Sequence, residues 1–105
     1  MKNATIKLDK KHLTVVKKIL RQYVPDCEVL VFGSRLTDQV KSYSDLDLAL
    51  HGKQKIEREK LIELKDAFEE SNLPFRVDVL DWHRIAESFR KIIQKDFVII
   101  QKKRD

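Results

Sequence analysis

The chain has 105 residues, a net charge of +5 and a single cysteine. That length suits one compact domain and leaves little room for a separate substrate-binding one. A lone thiol excludes an intrachain disulfide and a cysteine-based zinc site, and the recurring apolar segments exclude a disordered chain. Taken in order, residues 1–8 show no clear period and are expected to be loose. Asp9 reads as the N-cap of a helix over about 10–24, with Leu13, Val16, Leu20 and Tyr23 at helical spacing and Pro25 closing it. Glu28 to Phe32 reads as a short, nearly all-apolar strand, and Gly33-Ser34 as a turn opening a short helix.

Leu46 to Leu50 reads as a second strand. Its alternation sends Leu46, Leu48 and Leu50 to one face and Asp45, Asp47 and Ala49 to the other. His51-Gly52 breaks the pattern, and a helix follows over Lys55 to Glu70, closed by Ser71-Asn72 and Pro74. Phe75 to Asp81 reads as a third strand, with Arg76, Asp78 and Leu80 on one side. A last helix begins near His83 and carries Ile85, Phe89, Ile92, Ile93, Phe97 and Ile100 at helical spacing. The β-branched stretch ending at Ile100 also permits a strand over Phe97 to Ile100. The end of the chain, 101–105, is polar and expected to be loose.

The expected fold is therefore a single α/β (α+β) domain over residues 1–105. Its order is α-β-α-β-α-β-α, with a small mixed sheet and helices mainly on one face. No apolar run approaches the ~20 residues of a membrane span and the N-terminus lacks a signal-peptide core, so no membrane and a cytoplasmic setting are expected. The positive charge favours polyanions without choosing among them. No aromatic-basic RNA motif or recognition helix appears, so nucleic acid is not an expected partner. His12, His51 and His83 sit on three different elements without metal-ligand spacing.

The residues that carry chemistry lie between 33 and 78. Two carboxylates two positions apart on a strand point the same way, about 6–7 Å apart at the backbone. Their hard oxygens suit magnesium or manganese. Asp78 interrupts an apolar strand, where an unpaired carboxylate is costly; beside Asp45 and Asp47 it would complete a site for two divalent ions. Gly33 lets the backbone approach a ligand, and the Ser34 hydroxyl and the amides after it can hold phosphate. Arg35 is a candidate to add a charged fork to that phosphate. Singly, each feature is as well read as an ordinary turn or a surface acid.

Together, Gly33-Ser34, a ten-residue spacer, Ser44-Asp45-Leu46-Asp47-Leu48 and Asp78 resemble the nucleotidyltransferases of the DNA polymerase β superfamily. Within it the chain looks most like the minimal nucleotidyltransferases. The resemblance implies a palm-like sheet, Asp45 and Asp47 as ligands of two Mg²⁺ ions (or Mn²⁺), and Asp78 completing one metal site and helping to activate an acceptor hydroxyl. It implies Gly33 and Ser34 as triphosphate contacts and a nucleoside triphosphate, ATP above all, as donor. It further implies a small helical partner of the HEPN type, with this chain as an antitoxin that adds AMP to a tyrosine of that partner. Homo- or hetero-oligomer is left open. Where the family turn continues with a small residue and a second glycine, this chain has Leu36 and Asp38. Those departures motivate an alternative, a non-catalytic nucleotide- or partner-binding module of the same fold.

Overall fold

The computed structural model describes residues 6–103. Three helices, α1 (Lys10–Tyr23), α2 (Arg58–Glu69) and α3 (Glu87–Lys95), accompany four strands, β1 (Glu28–Phe32), β2 (Leu46–His51), β3 (Val77–Asp81) and β4 (Val98–Gln101). Single 3₁₀ turns at Ser34–Leu36 and Trp82–Arg84 complete the order. The strands form one sheet in the order β3-β2-β1-β4. β1 runs antiparallel to both β2 and β4, whereas β2 and β3 are parallel and joined through α2. The mixed sheet thus follows from a reversal through the 33–45 loop, a helical crossover through α2 and a return through α3 to the free flank of β1.

The leucine face of β2 makes the main core. Leu46, Leu48 and Leu50 are fully buried and pack with Val29 and Val31 under Val16, Leu20, Leu64 and Phe68 of α1 and α2. Each such side chain contributes about 1.5–3 kcal/mol by leaving water. The second face is smaller. Leu30, Ala49, Trp82 and Ile93 form its buried centre, with Phe32, Phe89 and Phe97 packed around it. α3 covers that part of the face, and Asp47, two residues before Ala49, falls outside it.

The structure redraws several expected boundaries. The helix expected after Gly33-Ser34 is a single 3₁₀ turn. The last helix is not continuous from His83 to Ile100: it is confined to Glu87–Lys95, and Val98–Gln101 is a strand. The physical reason is the open flank of β1, whose backbone groups β4 pairs, together with the β-branched residues at 98–100. Gln101 is not loose, because it ends β4 buried, with Nε2 donating to the carbonyls of Val24 at 2.8 Å and Cys27 at 2.9 Å. At the other end, the Lys7 amide donates to the Arg35 carbonyl at 2.7 Å. Residues 1–5 and 104–105 of the expected loose ends lie outside the described residues. Asp9 occupies the N-cap position of α1 but its side chain makes no capping hydrogen bond.

Cys27 is buried, and burial, then the charges of Asp81 and Asp26, push its thiol up from the ordinary range, which makes it a poor nucleophile. No helix among the described residues is long and apolar enough to cross a membrane.

Candidate active site

Gly33 ends β1 with φ +87°, the only positive φ among the described residues. An L side chain rarely adopts that conformation. A side-chain carbon placed there would also overlap the Asp47 carboxylate. Glycine is therefore favoured by the bend, and any side chain there would displace the Asp47 carboxylate from its position. The 3₁₀ turn that follows is held by the Leu36 amide donating to the Gly33 carbonyl at 3.1 Å and by the Thr37 amide and hydroxyl donating to the Ser34 carbonyl. A single turn offers amide donors but little summed dipole. Leu36 packs against the main core, which accounts for a large residue at that position. Asp38 is exposed and lies 4.0 Å from the Lys7 ammonium.

The parallel pairing of β2 and β3 sets Asp47 opposite Asp78 in register. Side chains at paired positions share a face across about 4.8 Å of sheet. Asp45 lies just before β2 and adds its charge from the same side. Burial, then the charges of Asp78 and Asp45, push the Asp47 carboxyl up to about 6, against the lowering effect of Arg76. The acids therefore repel one another in a partly desolvated place. Hard oxygen donors whose mutual repulsion Arg76 offsets only in part fit a divalent cation. As they stand, no three metal-ligating side chains among the described residues are gathered around one point. Asp78 is engaged elsewhere: its Oδ1 accepts from the Arg76 guanidinium at 3.0 and 3.1 Å.

Arg35 departs from its expected role. Its guanidinium is buried and donates to the carbonyls of Lys7 at 3.0 Å, Ser42 at 3.0 Å and Ser44 at 2.8 and 3.2 Å, with its carbon 4.5 Å from the Phe75 ring centroid. A fork so engaged is not available to a phosphate. Arg35 instead fastens the loop between the Gly33 turn and Asp45, because Ser44 immediately precedes that acid.

A cleft of about 850 Å³ opens beside the acids, lined by Asp47, Asp78, Arg76, Phe32 and Phe89 among others. It reaches past β3, the edge strand, to Lys65 and Phe68 of α2. Nothing in the sequence marks Arg76 as a site residue, although strand alternation puts it on the Asp78 side. The wall made by Phe32 and Phe89, edge-to-face at 5.9 Å, depends on how α3 docks and has no local signal. His83 does not join the site: its Nε2 lies 2.6 Å from the Gly52 carbonyl, beyond the far end of β2. That is about 16 Å along the strand from Asp47. His51 stacks on Trp82 at the same far end.

The chain has counterparts among known proteins, in sequence and in fold. The sequence pattern of the family described as polymerase beta, nucleotidyltransferase matches residues 14–105. A protein of Haemophilus influenzae named probable protein adenylyltransferase MntA is 47% identical over 100 residues, 95% of this chain and 88% of that one. A crystal structure of a toxin–antitoxin with AMP-PNP superposes with a TM-score of 0.70 at 20% identity, covering 87% of this chain and 73% of that chain. A structure of the tri-AMPylated Shewanella oneidensis HEPN toxin in complex with MNT antitoxin superposes at 0.69 and 18% identity, over 91% of this chain and 74% of that chain. At those identities the structures speak for the fold, a nucleotidyltransferase-like mixed sheet. The sequence matches go further: this chain belongs to the polymerase β nucleotidyltransferase family.

Proposed function

We propose that the chain is a metal-dependent protein adenylyltransferase that moves AMP from ATP to a hydroxyl of a partner protein. The observation that carries this reading is the pairing of Asp47 with Asp78 across β2 and β3, with Gly33 packed behind Asp47. The adenylyltransferase name of the Haemophilus relative supports the choice of AMP and of a protein acceptor. The likeness to complexes of HEPN toxin and MNT antitoxin supports a HEPN-type partner and an antitoxin role. A cytoplasmic setting goes with ATP as donor.

In the proposed reaction the acceptor oxygen bonds to the α-phosphorus, and the bond from that phosphorus to the pyrophosphate oxygen breaks. Pyrophosphate leaves with the electron pair. Asp78 draws the hydroxyl proton. Gly33 admits the triphosphate close to the backbone, and the Ser34 hydroxyl donates to a phosphate oxygen. Asp45, Asp47 and Asp78 would hold the Mg²⁺ ions, with Mn²⁺ as a substitute, and such ions supply positive charge opposite the attacking and leaving oxygens. The cleft along β3 gives an acceptor from outside room to approach.

The test is incubation with labelled ATP, GTP, CTP or UTP, magnesium and a purified HEPN-type partner, followed by mass spectrometry of the partner. An AMP adduct on a tyrosine is the expected product. Full transfer by the Asp45→Ala/Asp47→Ala variant would show the mechanism to be wrong. One observation favours a second reading, a binding module without turnover: the guanidinium of Arg76 already occupies Asp78. Magnesium-dependent ATP binding with no adduct, partner present, would select it.

A further inference from the structure

Arg76 sits immediately before β3, and its backbone is fixed, because the Leu46 amide donates to its carbonyl at 2.9 Å. Its side chain is free by comparison, 74% exposed, and lines the cleft with Asp47 and Asp78. Nη2 and Nε both converge on one oxygen of Asp78, Oδ1, at 3.0 and 3.1 Å. A guanidinium fork is best matched by two oxygens, so this pairing uses it incompletely. The same positive charge acts on Asp45 and Asp47 as well. Arg76 is thus the cation that the three acids share.

We propose that Arg76 is a built-in competitor for the metal position at Asp78, and that the polyphosphate of a bound nucleotide draws it off. The proposal rests on the nucleotidyl-transfer reading above and adds a residue to it. A divalent ion and a guanidinium at Asp78 repel each other and compete for the same carboxylate, so each weakens the hold of the other. A polyphosphate in the cleft offers Arg76 the two adjacent oxygens that Asp78 Oδ1 alone does not. Rotation of an exposed side chain is enough for the exchange, with no movement of β3. Arg76 then makes metal and nucleotide binding mutually favourable, and by linkage each strengthens the other equally. The empty site keeps a low affinity for metal, and the acids are released when the substrate arrives.

Two binding measurements on the full chain, neither needing turnover, test this. Mn²⁺ binding without nucleotide is followed by electron paramagnetic resonance. Binding of the ATP analogue AMP-PNP with excess EDTA is followed by calorimetry. Arg76→Gln is expected to bind Mn²⁺ about two- to fivefold more tightly than the wild type, the scale of one exposed ion pair. The same variant is expected to bind metal-free AMP-PNP several-fold more weakly. Opposite signs separate the proposal from simple damage, which weakens both. In an Asp78→Asn background, Arg76→Gln should no longer change Mn²⁺ affinity by more than its general charge effect, read there as the difference between Arg76→Gln and the charge-keeping Arg76→Lys. Equal or weaker Mn²⁺ binding by Arg76→Gln, with binding itself intact, would overturn the proposal alone. No Mn²⁺ binding by either folded protein would overturn the metal reading and this proposal with it.

Discussion

Gly33 packs directly against the carboxylate of Asp47, so closely that one added carbon would overlap Oδ2. The turn at the end of β1 and the acid on β2 are therefore one object, set by the antiparallel pairing of Phe32 with Asp47. Gly33→Ala must relieve both the overlap and a φ of +87°. The expected loss is about 1–3 kcal/mol of stability and about a hundredfold in AMP transfer, since small displacements at a reacting centre cost that much. Gly52 offers a control within the same chain. A carbon there would meet Cys27 Sγ at 3.3 Å and no unusual φ is required, so Gly52→Ala should change stability by about 1 kcal/mol or less and leave transfer intact. Thermal melts and transfer rates of the two variants, measured together, decide the point.

The charge on Asp47 gives stability a pH dependence of definite sign. Its folded-state value is about 6 against an ordinary 3.8, raised first by burial and then by Asp78 and Asp45. A carboxyl raised in this way binds more protons folded than unfolded, so its contribution to stability is lost as pH rises from about 3.8 through about 6. Asp47→Asn removes the ionisation. It should stabilise the metal-free protein by about 1 kcal/mol above pH 6, a value discounted because the group is half exposed. The gain should shrink steadily at lower pH. Melting temperatures of wild type and variant at pH 7.5 and pH 4.5 measure it, and a gain that grew on acidification would contradict the assigned cause.

Much of this geometry could be read from the chain before any coordinates. Alternation alone separated Leu46, Leu48 and Leu50 from Asp45 and Asp47, because a half-buried strand leaves that pattern in its sequence. Asp78 was placed correctly on its strand, and only the pairing of β2 with β3 brings it opposite Asp47. Arg35 differs from its expected place at the phosphate for a physical reason. A residue after a Gly-Ser turn looks free to meet a ligand, and nothing local reveals that three carbonyls, one 28 residues away at Lys7, converge on its guanidinium. The last strand is legible only as an alternative, and over Phe97 to Ile100 rather than Val98–Gln101, since β-branched residues suit a strand while the apolar spacing continues that of α3. The unpaired flank of β1 decided it.

Arg35 should behave as a fastener of the acidic loop. Its side chain donates to Lys7, Ser42 and Ser44, and removing it leaves those carbonyls without their charged donor. Arg35→Ala should lose about 2–4 kcal/mol. Arg35→Lys should recover little of it, because a compact ammonium cannot span three carbonyls as a planar fork does. Both variants should also lose metal affinity, since Ser44 leads directly into Asp45. A residue serving only as a phosphate contact would instead leave the melting temperature unchanged and weaken nucleotide binding alone.

Gln101 closes the far side of the sheet in the same manner. Its amide nitrogen bridges the carbonyls of Val24 and Cys27, the two ends of the turn between α1 and β1. Gln101→Leu keeps the volume and removes the donor; the Val24 carbonyl retains the Cys27 amide at 3.1 Å, while the Cys27 carbonyl loses its side-chain donor in a buried place. The expected loss is about 1–3 kcal/mol, visible as a lower denaturant midpoint with an unchanged slope. Gln101→Glu should be worse above the carboxyl's ordinary range, because it sets a charge against two carbonyl oxygens. AMP transfer by folded Gln101→Leu should stay near the wild-type rate, since Gln101 lies on β4, two strands away from the β2 acid Asp47. Stability loss without loss of transfer would separate the residues that hold this sheet from those that line its site.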